Sequence, residues 1–369
     1  MTKNIHEHVE CLQGKHVLVV TPGLPDKKSF LLDGFQATCQ TDAVFGMKQA
    51  PEKFDRILRL IGKGSSKRNT VSLNKEIVRA VQENAYDLIC VIKGLAVEKS
   101  TLEAVRRISP DTKIILWTCD DLALPHNQSK CFLESASQYD VVFTTKSNNL
   151  RYGELSRIGF RRVEFLYQAF STADHRPITD PAWTDRHGVL FIGYGEEQRF
   201  TFMNYLARNG VPVDVYGNGW KRPSFAIRAH ANLKLHKQPL FHREYAAAIT
   251  NAAINLCFLR VKNRDIHTSR SIEIPACGGF MLAERTDEHS LLFREGEEAE
   301  FFCSKEELLH KVRKYLKQPV RRMEISRAGC DRTRKDNYSY EEMVMQILRN
   351  IFQIGPTVLR RPPLPSDIS

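Results

Sequence analysis

Short, unbroken apolar runs alternate with stretches of helical periodicity along the first half of the chain. HVLVV (His16–Val20) breaks at once into the Pro/Gly turn TPGLPD, as a buried parallel strand does when it reaches the carboxyl edge of its sheet. Phe54, Ile57, Leu58 and Ile61 stand at helical spacing over Pro51–Ile61, and after the polar GKGSSKRNT a second helix is predicted from Leu73 to Asn84. Then follow DLICVI (Asp87–Ile92), a helix through Ser100–Ile108, KIILW (Lys113–Trp117) and DVVFTT (Asp140–Thr145). Strands separated by helices predict βαβ units and a doubly wound sheet.

The texture changes at STADHRPITDPAWTDRHG (Ser171–Gly188), which has two prolines and no apolar period. The alternation then restarts with GVLFIG, a helix over Glu197–Asn209, VPVDVYGNG (Val211–Gly219), a helix containing Tyr245–Asn251 and INLCFL (Ile254–Leu259). Ser269–Ala276 runs into GGFMLAE, and Lys305–Leu316 is amphipathic. The pattern predicts an α/β protein of two Rossmann-like domains facing a cleft. Their bounds are 15–170 and 188–336, with a linker at 171–187, a C-terminal helix at 337–353 and a Pro-rich tail at 354–369. The PPLP of that tail reads as plain tail rather than as a polyproline ligand.

Composition narrows the class. A length of 369 residues favours two domains, and no apolar run reaches the ~18 residues that cross a bilayer. The N-terminus is polar up to the first strand, unlike a secretory leader. Nine cysteines without any Cys-x-x-Cys pair predict reduced thiols in a cytoplasmic protein rather than a disulfide framework or zinc site. The net charge of +11 suits an anionic partner. Between Lys311 and Lys335 ten Lys/Arg face only Glu324 and Asp331; the stretch reads as a solvated helix face or as a peripheral contact with an anionic membrane. No nucleic-acid-binding motif accompanies the charge, so no nucleic-acid partner is expected.

RDIHTSRSIEIPACGGFMLAE (Arg264–Glu284) carries the chemistry. Arg270 and Glu273 lie on a helix that ends at Cys277-Gly278-Gly279; paired glycines beside a helix terminus let a phosphate approach N–H groups that can cradle it, and a simple helix-to-strand turn accounts for the pair equally well. Asp265 and Glu273, two turns apart, are expected on one helix face. Asp120 and Asp121 follow KIILW, so with His126 they are candidates for a general base or for acceptor contact; the plainer reading is a turn or helix cap. Gly23 and Lys27 or Lys28, in the loop after the first strand, and Lys93, after another strand, are candidates for acceptor contact; the plainer reading of the first loop is a turn. His230, His236 and His242 recur every six residues, which fits no shared face, so no metal site is expected.

The stretch resembles the donor-binding signature of the group 1 glycosyl transferases of GT-B fold, in the variant found in CgeB-like proteins. The matching residues are Arg270, Glu273, Ala276, Cys277, Gly278 and Gly279, followed by REGEEAEFF, SKEELLHKV and NYSYEEM; Lys93-Gly94 and Trp117-x-x-Asp120-Asp121 match in the first half. The resemblance implies a cytoplasmic glycosyltransferase that moves a sugar from a UDP- or GDP-type nucleotide sugar to a glycan or lipid-linked acceptor, without a metal or other cofactor. It implies that Glu273 binds the ribose, that Gly278 and Gly279 approach the diphosphate, and that Arg270 assists. By position, Gly193 and Arg199 lie in the first loop and helix of the donor domain, and Arg199 is a candidate for stabilising the leaving group. Two positions depart from the family pattern: Asp265 replaces a glutamate, and Arg260 or Lys262 replaces the usual lysine. The Asp265/Glu273 pair favours retention of configuration. A non-catalytic nucleotide-sugar binder and a GT-B epimerase are the alternatives.

Overall fold

The computed structural model describes residues 10–23, 29–46, 67–179, 188–220, 223–236 and 238–354. The expected helix Pro51–Ile61, Lys27, Lys28, residues 180–187 of the expected linker and the tail from 355 onward lie outside the described residues. Two compact units emerge: Met1–Tyr167 with Tyr340–Ser369, and Gln168–Ser339.

The first unit is built on a six-stranded parallel sheet in the order β2-β1-β3-β4-β5-β6. Its strands are β1 (His16–Thr21), β2 (Gln40–Phe45), β3 (Leu88–Ile92), β4 (Lys113–Thr118), β5 (Val141–Thr144) and β6 (Val163–Phe165). The central strands are apolar on both faces: every residue of Leu88–Ile92 and Val141–Thr144 is buried. Helices cover them: α1 (Phe30–Thr38), α2 (Lys67–Glu83), α3 (Lys99–Ile108), α4 (Lys130–Ser135), α5 (Ser147–Arg151) and α6 (Glu154–Ile158). Because the order reverses between β1 and β3, their carboxyl ends frame a crevice of the kind that takes ligands in such sheets. The helix Tyr340–Phe352 follows the second unit in the chain, as expected, and packs on α1 of this unit. Gly34 permits the approach, since a Cβ there would stand 2.9 Å from the Tyr340 carbonyl oxygen. Phe30 stacks on Tyr340 at 5.6 Å, and Arg162 Nη2 donates to Asn350 Oδ1 at 2.7 Å.

The second unit repeats the plan in the order β12-β11-β10-β7-β8-β9. Its strands are β7 (Val189–Ile192), β8 (Val213–Tyr216), β9 (Leu233–Leu235), β10 (Ile254–Cys257), β11 (Met281–Glu284) and β12 (Glu300–Phe302). Read from β9, that is the 3-2-1-4-5-6 arrangement of a dinucleotide-binding fold, with its reversal between β7 and β10. The helices are α7 (Glu197–Arg208), α8 (Pro223–Arg228), α9 (His242–Asn251), α10 (Ser269–Ala276), α11 (Asp287–Leu292), α12 (Lys305–Leu316) and α13 (Pro319–Lys335). The described part of the expected linker belongs to this unit. Ile178 N–H donates to Thr250 Oγ1 at 3.0 Å, and Asn251 Nδ2 donates back to the Ile178 carbonyl at 2.9 Å.

Candidate anion site at the β7/β10 crevice

Two arginines meet at the reversal in the second sheet. Arg199 stands in the first turn of α7, which follows β7; Arg270 stands in the first turn of α10, which follows β10. The leading N–H groups of both helices lack intrahelical acceptors, and the positive ends of both macrodipoles lie here. Arg199 is only 2% exposed. Its Nη1 donates to the Tyr194 carbonyl at 3.0 Å, while Nε and Nη2 are buried with no hydrogen-bond partner. Glu196 Oε2 stands 3.8 Å from Nε, and its other oxygen accepts from Arg260 Nε at 3.0 Å. Arg270 Nε is likewise buried without a partner. Burial pushes the Arg199 pKa down, and the nearby positive charge of Arg270 adds to the effect; Glu196 and Asp265 oppose it. Two cations with unused donors, in a crevice bounded by two helix N-termini, form a site that is short of one anion.

The carboxylates are arranged differently from the sequence expectation. Glu273 is on α10, 8% exposed, and Tyr245 of α9 donates its hydroxyl to Oε2 at 2.7 Å. Beside that carboxylate, burial and its negative charge push the Tyr245 pKa up, so the phenol keeps its proton and its donor role. Asp265 is not on the helix at all. A turn at Val261–Asn263 ends at Arg264 in the left-handed region (φ 46°), and Thr268 caps α10 three residues beyond Asp265. Asp265 receives the Arg260 N–H at 3.2 Å and Asn263 Nδ2 at 2.9 Å, and so braces the loop. Arg260 is exposed and directed to Glu196.

The glycine pair is also reassigned. Cys277, Gly278 and Gly279 close the C-terminal end of α10, away from the arginines. Their N–H groups are spent on the carbonyls of Glu273, Pro275 and Ile274 at 3.0, 2.8 and 3.0 Å. Gly278 is the left-handed residue that ends the helix (φ 71°). A Cβ on Gly279 would stand 2.6 Å from Ile249 Cγ2 and 2.7 Å from Asn255 Nδ2. Glycine is required there by packing, and the helix pole is the one that repels anions. Gly193 is equally committed: its N–H donates to the Tyr216 carbonyl at 2.9 Å, and its carbonyl accepts from Trp220 Nε1 at 2.8 Å.

Beneath α10 lies a buried relay that the sequence analysis did not find. His289 Nδ1 is 2.6 Å from the Glu284 carbonyl and donates to it, so Nε2 accepts from Ser271 Oγ at 2.7 Å. Ser271 Oγ in turn accepts the Thr268 N–H at 3.0 Å, which fixes the start of the helix. Burial pushes the His289 pKa down to about 4. His267 accepts the Gln168 N–H on Nε2 at 3.1 Å and faces Glu288 Oε2 through Nδ1 at 2.5 Å. Glu284 takes the Leu259 N–H at 2.5 Å; burial raises its pKa, and Arg199 is among the charges that oppose the rise. Tyr245, Glu196 and Glu284 thus join the crevice. Their contacts come from chain neighbours in space, and no local pattern marks them.

In the first unit, Lys93 Nζ and Asp120 Oδ2 form an ion pair at 2.6 Å at the carboxyl ends of β3 and β4. Lys93 is left-handed (φ 65°), a strained backbone that places its side chain there. Asp121 is fully buried; its Oδ1 accepts from Asn149 Nδ2 at 2.6 Å and the Ala123 N–H at 3.1 Å. It braces the loop and offers no accessible base. His126 is exposed on a 3₁₀ turn, Pro125–Asn127. Gly23 follows β1, its N–H on Thr21 Oγ1 at 3.4 Å. His236 pairs with Asp214 and His242 with Asp174; among the described residues no group of three or more His, Cys, Asp or Glu is placed to hold a metal ion.

Comparison with solved structures decides the fold. The chain superposes on HepE of Anabaena, solved with UDP-glucose, at a TM-score of 0.60 and 12% identity, over 92% of this chain and all of that one. The fold is that of the GT-B glycosyltransferases. Sucrose-phosphate synthase of Thermosynechococcus elongatus matches at 0.61 and 12%, over 92% of this chain and 100% of that one. A putative UDP-N-acetylglucosamine 2-epimerase of Listeria monocytogenes matches at 0.55 and 11%, over 93% and 98%. Residues 199–349 match the model of a family described as glycosyl transferase-like, a span that holds Arg199, Tyr245, Arg270, Glu273 and Glu284. No curated protein matches in sequence. No helix among the described residues is long and apolar enough to cross a membrane.

Proposed function

We propose that this GT-B chain is a glycosyltransferase that moves a sugar from a nucleoside diphosphate sugar to a hydroxyl of a glycan or lipid-linked acceptor. In this reading the second unit holds the donor. The observation that carries it is the pair of buried Arg199 and half-buried Arg270 at the strand-order reversal, with three buried guanidinium nitrogens that have no hydrogen-bond partner. Breaking a sugar–phosphate bond builds negative charge on the departing diphosphate, and fixed guanidinium donors in a water-poor crevice stabilise that charge. Arginine supplies the cation, so the reaction proposed needs no metal. Tyr245 holds one oxygen of Glu273 and leaves the other to accept from the ribose hydroxyls. The first unit, with Lys93 and Asp120, takes the acceptor side. The carboxylate pair that favoured retention is divided between a loop and a helix, so no stereochemical outcome is proposed.

Thermal unfolding with UDP, GDP, ADP and CMP, repeated on Glu273→Ala, tests the reading. One nucleotide should stabilise the wild type, and the gain should disappear in the variant. No shift with any of them at millimolar concentration would favour a non-catalytic protein. The likeness to the Listeria epimerase fold supports a second reading, an epimerase, which differs in releasing an isomerised sugar without any acceptor.

A further inference from the structure

The basic stretch noted in the sequence is largely used up inside the protein. Lys311 pairs with Glu295 and Glu300 at 2.6 and 2.7 Å, Arg321 with Glu324 at 2.8 Å, and Arg332 with Asp336 at 3.0 Å. Arg322 donates to the Tyr315 carbonyl, and Arg313 donates to the Asn209 carbonyl at 2.8 Å. Lys317, Lys335, Arg327 and Arg334 are the exceptions. Arg327 and Arg334 are exposed, and neither guanidinium makes an ion pair or hydrogen bond among the described residues. Seven residues apart on α13, they lie on one helix face, about 10 Å from each other along the axis.

Both arginines line a groove of about 610 Å³ in the second unit, between α13, the end of α9 and the Gly278–Phe280 turn. Phe280, 2% exposed, and Pro177 contribute apolar floor, and Met323, 64% exposed, stands at the rim. Val320, 63% exposed, extends the apolar rim along the same helix. Asp331 is the single acid on the lining, against three arginines including Arg322. A cavity of this size, cationic on one wall and apolar at its mouth, matches the headgroup and upper acyl region of an acidic lipid. The groove lies at the C-terminal pole of α10, the opposite end from Arg270, so it is separate from the crevice assigned to the donor.

We propose that this groove receives the phosphate headgroup of an acidic phospholipid and seats the second unit on an anionic bilayer through α13. Arg327 and Arg334 hold the phosphate, and Met323 and Val320 enter the interface. The inference does not depend on the donor reading, because no residue of the crevice takes part.

Co-sedimentation with phosphatidylglycerol/phosphatidylcholine vesicles tests it, read beside hydrogen exchange over Pro319–Lys335. The full chain should bind these vesicles, fail to bind pure phosphatidylcholine, and lose binding as salt rises. Helix α13 should be protected in the bound state. Arg327→Ala with Arg334→Ala should weaken partitioning about thirtyfold. Arg321→Ala, an exposed arginine already paired with Glu324, should weaken it much less. Absence of binding to acidic vesicles overturns the proposal. So does binding that the double variant leaves intact, or protection of α13 by inorganic phosphate without any vesicle binding.

Discussion

Arg199→Met separates a functional arginine from a structural one. In the free protein Arg199 keeps two buried nitrogens without hydrogen-bond partners, and each such donor costs about 1–3 kcal/mol. Methionine removes that cost and fills a similar length of apolar space. It forfeits the charge-assisted Nη1 bond to Tyr194, worth about 1.5–3 kcal/mol, and the contact of the guanidinium with the Phe191 ring at 5.6 Å, worth about 0.5–1 kcal/mol. The balance centres on about 1 kcal/mol in favour of the variant, a rise of about 3 °C in Tm for a unit of this size. Nucleotide binding should move the other way. Loss of two charge-assisted hydrogen bonds at about 1.5–3 kcal/mol each lowers affinity by at least about 100-fold. Differential scanning calorimetry with and without the stabilising nucleotide reads both quantities on one sample. A ligand-free variant that melts several degrees below wild type, or one that keeps the full nucleotide shift, would refute the reasoning and make Arg199 a structural brace.

Three further outcomes follow from the same geometry. Gly279→Ala should lose about 2–4 kcal/mol in urea unfolding, because the new methyl overlaps Ile249 and displaces Asn255; a neutral result would return the glycine to a ligand role. His289, with its pKa near 4 against 6.5 for the free side chain, binds its proton in the unfolded chain first. Stability of the second unit should therefore fall by up to about 3 kcal/mol as pH drops from about 6.5 to about 4, then level off from this group. His289→Asn should flatten that window, and an unchanged pH slope would contradict the assignment. With a thiol reagent under native conditions, Cys11 and Cys303 should react first, while Cys90, Cys257 and Cys277 wait for unfolding; early labelling of Cys277 would mean that the end of α10 opens readily.

Most of the fold was legible because a doubly wound sheet writes its core as short apolar runs. Leu88–Ile92, Val141–Thr144 and Ile254–Cys257 are buried along their whole length, and their runs stand out without any partner being known. Edge strands are quieter. β2 (Gln40–Phe45) has only Val44 fully buried, and β9 (Leu233–Leu235) only Leu233, so neither carries a recognisable run. The return of Tyr340–Phe352 to the first unit depends on Gly34 and Phe30, some 300 residues earlier, which no local pattern links to it. The site divides in the same way. Arg199 is singled out by its position in the first helix of the donor domain, and Arg270 and Glu273 by the helix that runs into Cys277-Gly278-Gly279 and by the resemblance. Asp265 falls outside α10 because spacing does not reveal where a helix begins, while Gly278 and Gly279 stand at the helix end as expected but spend their N–H groups on its carbonyls. Thr268 starts α10, and that single cap puts Asp265 outside the helix and the glycines at its negative end.

The most direct test is release of nucleoside diphosphate from UDP-glucose, UDP-N-acetylglucosamine and GDP-mannose, followed without acceptor in wild type and Arg199→Met. The account predicts slow release from one donor by the wild type and none by the folded variant. Equal release by both proteins, or none from any donor by a wild type that also binds no nucleotide, would contradict the assignment of the β7/β10 crevice.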